Sequence, residues 1–201
     1  MNSDKKLILA SKSPRRIEIL KSLGYKFEII PAVKDEIVDF ALEKSEMVER
    51  TAENKAREII EIYPKKVFNA GVIGMDTVVV LNGEVLQKPS SKQNQREMLK
   101  KLSGAYHEVY TGYCLFVLDE KGEITDKICG AEKSRVLFND LSDKKIEDYI
   151  ESELGLDKAG GYGIQDEFDL VKSVEGSVFN VIGFPKELFE NILNKYDFER
   201  N

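Results

Sequence analysis

A chain of 201 residues, 42% hydrophobic and 33% charged, has the make-up of a globular protein that folds in water. Its length suits a single α/β domain over 1–201, or two closely joined lobes, and argues against independent domains on linkers. The 36 acidic and 30 basic residues leave a formal charge of −6, which disfavours long-range attraction to nucleic acid, so a phosphate ligand must meet locally clustered cations. The opening MNSDKK is followed by the apolar run LILA, far shorter than a signal-peptide core or a membrane span, and the chain is read as cytoplasmic.

KKLILA reads as a first strand, and SKSPRRIEILKSLG as a helix with Ser13 as N-cap, Pro14 at the first helical position and Gly24 as terminator. KFEIIPA is a second strand, and Ser45 to Tyr63 a long helix closed by Pro64. VFNAGVIGMDTVVVLNGEVLQKP holds two strands joined at Asn82 and Gly83. A helix over SKQNQREMLKKLSG ends at Gly104, and two long antiparallel strands surround the turn DEKG. Ser142 caps a further helix; then come the glycine-dense DKAGGYGIQ, two short strand-like pieces and a last helix after Pro185. Alternating β–α units and hairpins predict an α/β fold, a mixed central sheet flanked by helices.

His107 is the sole histidine, which excludes a multi-histidine metal site, so a metal would need oxygen ligands. It reads as structural, and Cys114 and Cys129, too far apart in sequence for a CxxC pair, as reduced and buried. Neither a P-loop nor a dinucleotide fingerprint is present.

The candidates for chemistry lie elsewhere. Ser11, Ser13, Arg15 and Arg16 gather hydroxyls and guanidiniums at a helix start, where cations oppose the helix dipole; a bound anion would account for them, and so would a capped helix with solvated arginines. Asp76 interrupts an apolar strand and needs a metal, a cation or a catalytic role, or else a buried lysine or a bulge at Gly74. Lys88 arrives at the far end of the hairpin that begins at Thr77. Asp157, Lys158 and Gln165 surround closely spaced glycines that permit a ligand to approach the backbone, as they would in a plain flexible loop. Lys55 by itself reads as a solvated helix lysine, and Asp35 and Glu36 as either a cap or metal ligands.

In order and spacing, the blocks LILASKSPRR, DE at Asp35 and Glu36, NKA at Lys55, GMDTVVVLNGEVLQKP, MLKKLSG, His107 to Gly112, DKAGGYGIQ and NVIGFP resemble the Maf family of nucleoside triphosphate pyrophosphatases over nearly the whole chain. The resemblance implies a fold related to the inosine triphosphate pyrophosphatases, two lobes with a cleft, and a homodimer. It implies a phosphate loop at Ser11, Ser13, Arg15 and Arg16, acidic metal-side and catalytic positions at Glu36 and Asp76, cleft lysines Lys55 and Lys88, and contacts from Thr77, Asp157, Lys158 and Gln165. It further implies Mg²⁺ or Mn²⁺ as cofactor and, because Thr77 follows Asp76, dTTP and UTP as substrates. A pyrophosphatase of 7-methyl-GTP or another modified nucleotide, and a nucleotide-binding regulator of septum formation, are the alternatives. The sequence departs from the family at Met75, Gln87, Leu154 and Asp166, which bears on base preference.

Overall fold

Hydrophobic alternation, helix stripes and turn signals resolve, in a computed structural model describing residues 5–34 and 39–201, into seven strands and six α-helices among those residues. In chain order these are β1 (Lys6–Leu9), α1 (Pro14–Ser22), β2 (Glu28–Ile29), α2 (Lys44–Ile62), β3 (Ala70–Leu81), β4 (Glu84–Leu86), α3 (Lys92–Leu102), β5 (Tyr106–Leu118), β6 (Ile124–Phe138), α4 (Asp143–Glu151), β7 (Val171–Glu175), α5 (Val178–Ile182) and α6 (Lys186–Leu193). The strands hydrogen-bond in the order β2-β1-β3-β5-β6-β7, with β4 on β3. Pairing is parallel among β1, β2 and β3 and antiparallel for β3–β4 and β6–β7. This is the mixed α/β sheet that the sequence leads one to expect.

Two compact units divide the chain, one of residues 1–76, 111–132 and 183–201, the other of 77–110 and 133–182. In the first, Ala52, Ala56 and Ile59 of α2 pack on Ile8, Val72, Cys114 and Phe116 of β1, β3 and β5. Two glycines allow that approach. A Cβ on Gly74 would lie 2.0 Å from the Ala52 carbonyl oxygen, and one on Gly112 would lie 2.1 Å from that of Val48. Gly74 therefore serves contact between helix and strand rather than a bulge.

In the second unit, Leu99 and Leu102 of α3 and Ile146 and Ile150 of α4 close over Val79, Leu86, Val109 and Val136. Each such side chain contributes about 1.5–3 kcal/mol by leaving water. The β3–β4 turn places Asn82 and Gly83 at φ 51° and 83°, the left-handed pair that a two-residue hairpin demands.

Three expectations are corrected. KFEIIPA forms only the two-residue β2. Of the two strand-like pieces after Gln165 one is β7, but Val178–Ile182 is helical, begun by the Ser177 hydroxyl accepting from the Asn180 amide at 3.2 Å. Cys114 and Cys129 are not reduced thiols: they form a disulfide, with Cα atoms 4.0 Å apart. They lie on neighbouring strands, β5 and β6, which the turn closed by the Gly122 amide on the Asp119 carbonyl folds together.

Candidate active site

In the first unit, β1 ends at Leu9 and α1 starts at Pro14, leaving a tight connection over Ala10–Ser13. Ser13 occupies the N-cap position but makes no side-chain cap bond. The Ser11 hydroxyl instead braces the connection before the helix, accepting from the Ser13 amide at 3.2 Å. Arg16 ties the connection down. Its Nε donates to the Gly183 carbonyl at 2.9 Å, and its Nη1 to the Met75 carbonyl at 2.9 Å and the Ser11 hydroxyl at 3.3 Å. A guanidinium fixed by carbonyls joins the Ser11 loop, the backbone before Asp76 and the segment before α6. Arg15 is half-buried in the first turn of α1.

Asp76 is 9% exposed, and its Oδ1 lies 2.7 Å from Lys55 Nζ. That ammonium also lies 3.5 Å from the Met75 carbonyl. Lys55 is thus not a solvated helix lysine: its side chain is 16% exposed. The reason is local, because Val48, Thr51, Ala52, Lys55 and Ile59 share one helical face, and the Gly74 contact presses that face onto β3. The pair offsets the cost of burying a carboxylate, and removing one partner from such a pair costs about 3–5 kcal/mol.

In the second unit the exposed Lys88 follows β4. The preceding residue, Gln87, accepts at its carbonyl from the Gly160 amide at 3.1 Å, so the strand end that carries Lys88 meets the glycine-rich loop. Gly160 and Gly161 have φ of 70° and 74°, a conformation other residues adopt only at a cost. The Gln95 side-chain amide donates to the Gly161 carbonyl at 2.9 Å. Lys158 is 9% exposed, and its ammonium meets the Leu154 carbonyl and, at 2.8 Å, Asp157 Oδ1. Asp157 and Gln165 are exposed, and Thr77 is half-buried.

His107 is buried, its Nε2 sharing a 2.7 Å hydrogen bond with the Tyr162 hydroxyl while Phe138 and Tyr162 pack edge-on. Burial pushes its pKa down to about 4, so it is a neutral structural ring.

A family profile described as Maf-like protein matches residues 6–196. Curated relatives named dTTP/UTP pyrophosphatase include those of Caldicellulosiruptor bescii, 39% identical over 97% of this chain and 96% of the relative, and of Elusimicrobium minutum, 41% identical over 96% of this chain and all of the relative. The chain belongs to the Maf family. A third such relative, from Clostridioides difficile, is 40% identical over 94% of both chains. Among solved structures, the Ham1 protein of Staphylococcus aureus aligns with a TM-score of 0.46 at 17% identity, over 68% of this chain and 73% of that one.

Of the Maf residues expected from the sequence, the first unit brings Ser11, Arg16, Lys55 and Asp76 into one set of contacts through Met75, and the second joins the Lys88 arm to the Asp157–Gln165 loop. Glu36, and Asp35 beside it, lie outside the described residues. Among the described residues no three His, Cys, Asp or Glu side chains stand together as a metal site. The hard oxygen of Asp76 nonetheless fits a divalent ion of the kind that takes one or two carboxylates and completes its shell with waters and phosphate oxygens. Sequence reasoning missed Tyr149, whose hydroxyl works on the glycine-rich loop, and the carbonyl partners of Arg16.

Proposed function

We propose that this chain hydrolyses dTTP and UTP, modified pyrimidine nucleotides included, to the monophosphate and pyrophosphate. The Asp76–Lys55 pair, 2.7 Å apart and next to carbonyls held by Arg16, carries the reading: a buried carboxylate fixed beside cations is suited to aiming a water at phosphorus. The names of the curated relatives supply the substrate class.

Asp76 orients the attacking water and takes its proton as the water oxygen bonds to the α-phosphorus. The bond from that phosphorus to the bridging oxygen breaks, and pyrophosphate leaves with the electron pair. Arg15, Lys55 and Lys88 stabilise the charge on the phosphates, Ser11 and Ser13 hydrogen-bond to phosphate oxygens, and Arg16 keeps the loop in shape. Thr77 contacts the nucleoside, as do Asp157 and Gln165 from a loop whose Lys158 faces inward. Mg²⁺ or Mn²⁺, when held by Asp76 and Glu36, would neutralise triphosphate charge. A cytoplasmic homodimer is part of the same proposal.

The test is Asp76→Asn. It should lower kcat for dTTP by about a thousandfold, the size of a lost general base, while the nucleotide Kd changes a few-fold at most. A panel of dTTP, UTP and 7-methyl-GTP with and without divalent metal tests the substrate: if neither dTTP nor UTP yields pyrophosphate and monophosphate, the reading is wrong.

A further inference from the structure

The side chains of the glycine-rich loop converge on Gly163. A Cβ at that position would lie 2.6 Å from Asp166 Oδ2, 2.8 Å from Gln165 Nε2 and 2.8 Å from Lys158 Cε. Asp166 Oδ2 in turn accepts from the Tyr149 hydroxyl at 2.5 Å and lies 3.9 Å from Lys158 Nζ. The Tyr149 oxygen also accepts from the Gly163 amide at 3.0 Å. These groups are withdrawn from solvent: the side chains of Asp166 and Lys158 are 8% and 10% exposed, and Tyr149 is fully buried. Burial and the neighbouring Asp166 both push the Tyr149 pKa up, so its hydroxyl stays a donor to the carboxylate.

A buried carboxylate needs a counterion and donors. Here Lys158 is the one and Tyr149 the other. The ammonium is in turn engaged by Leu154, Asp157 and Asp166, which turns it inward, while Asp157 and Gln165 stay exposed beside it. We infer that Tyr149 and Asp166 are positioning residues: through Lys158 and Gly163 they hold the loop in the one arrangement that presents Asp157 and Gln165 to the nucleotide. Lys158 then acts chiefly as the loop's internal counterion. This rests on the pyrophosphatase reading for the identity of the nucleotide, though not for the clamp itself.

The experiment compares Tyr149→Phe, which removes the hydroxyl and keeps the charge, with Asp166→Asn, which removes the charge and keeps an acceptor. In the full-length protein each should raise KM for dTTP and UTP about tenfold, the scale of one hydrogen bond to a charged group, with kcat within about twofold. The double variant should be no worse than the weaker single, since both act on one unit. Limited proteolysis within 154–168 should quicken about tenfold in either variant. Unchanged KM with only a lower Tm, or a fall in kcat at constant KM, overturns the inference. If the unaltered protein turns over no nucleotide, the substrate reading fails on its own, and proteolysis together with the Kd for dTTP still decides the clamp: unchanged values overturn it, a quicker cut with weaker binding supports it. Should Tyr149→Phe fail to fold, Asp166→Asn carries the same decision.

Discussion

The Ser11–Arg16 loop of the first unit and the Asp157–Gln165 loop of the second are fastened by different means. In the first, charged side chains of the expected site are themselves the fasteners: Arg16 binds the Met75 and Gly183 carbonyls, and Lys55 binds Asp76. In the second, the loop is held by the Gln87 carbonyl, the Gln95 amide, the Tyr149 hydroxyl and the inward-turned Lys158 beside Asp166, while Lys88, Asp157 and Gln165 remain exposed on that frame. Stability and chemistry are therefore entangled in the first unit and separable in the second.

Gly74→Ala attacks the entangled side and should have the largest effect. The new Cβ would meet the Ala52 carbonyl at 2.0 Å and the Ala56 amide at 2.9 Å, backbone atoms that cannot rotate away, so α2 must move and carry Lys55 off Asp76. Overpacking of this kind costs about 3 kcal/mol, and a displacement on the order of 1 Å at a catalytic group costs roughly a hundredfold in rate. Chemical denaturation and steady-state kinetics check both. A lower melting temperature with kcat intact would show that Lys55 does not depend on this packing and would break the comparison.

What the sequence made legible follows the same division. Helix starts, the Asn82–Gly83 turn and the glycine-rich loop are local, and their residues carry the information with them. Asp76 was legible because a carboxylate in an apolar run stands out, but its partner was not, because Lys55 lies 21 residues away on a helix where a lone lysine reads as solvated. The signal was present: Lys55 falls on the stripe of Val48, Thr51, Ala52 and Ile59. Cys114 and Cys129 stand one on each of the two strands that flank the DEKG turn, which was a further available signal of their pairing. No composition rule could have found the partners of Arg16, since two of them are backbone carbonyls and any residue supplies one. Tyr149 was visible only as part of an apolar helix face; its hydroxyl acquires a use only once α4 packs against the loop.

The second unit's frame rests partly on neutral buried groups, which acid should test. Among the described residues His107 Nδ1 has no hydrogen-bond partner, and the folded pKa of this ring, about 4, lies below the ordinary 6.5. Between those values the unfolded chain binds a proton that the folded chain refuses. The stabilisation is therefore complete above pH 6.5 and is lost as pH falls toward 4, a change of roughly 3 kcal/mol. Urea unfolding at pH 7.5, 5.5 and 4.5 should show this slope in the unaltered protein and a shallower one in His107→Phe, with kcat at pH 7.5 unchanged in the variant. Equal slopes would mean that acid sensitivity arises outside this ring.

Lys88→Ala should have the smallest effect on the fold and is the sharpest probe of separability. The side chain is exposed just past β4, and the tie to the glycine-rich loop runs through the Gln87 carbonyl, not through Lys88. Removing it should change unfolding free energy by no more than about 0.5 kcal/mol, as for surface positions generally. If Lys88 meets the phosphates, kcat/KM for dTTP should still fall by about tenfold or more, the loss of one charge-assisted contact. A drop in kcat/KM without loss of stability is the pattern expected of a side chain offered on a frame it does not hold. A parallel fall in both would put Lys88 among the fasteners, and the second unit would then be built like the first.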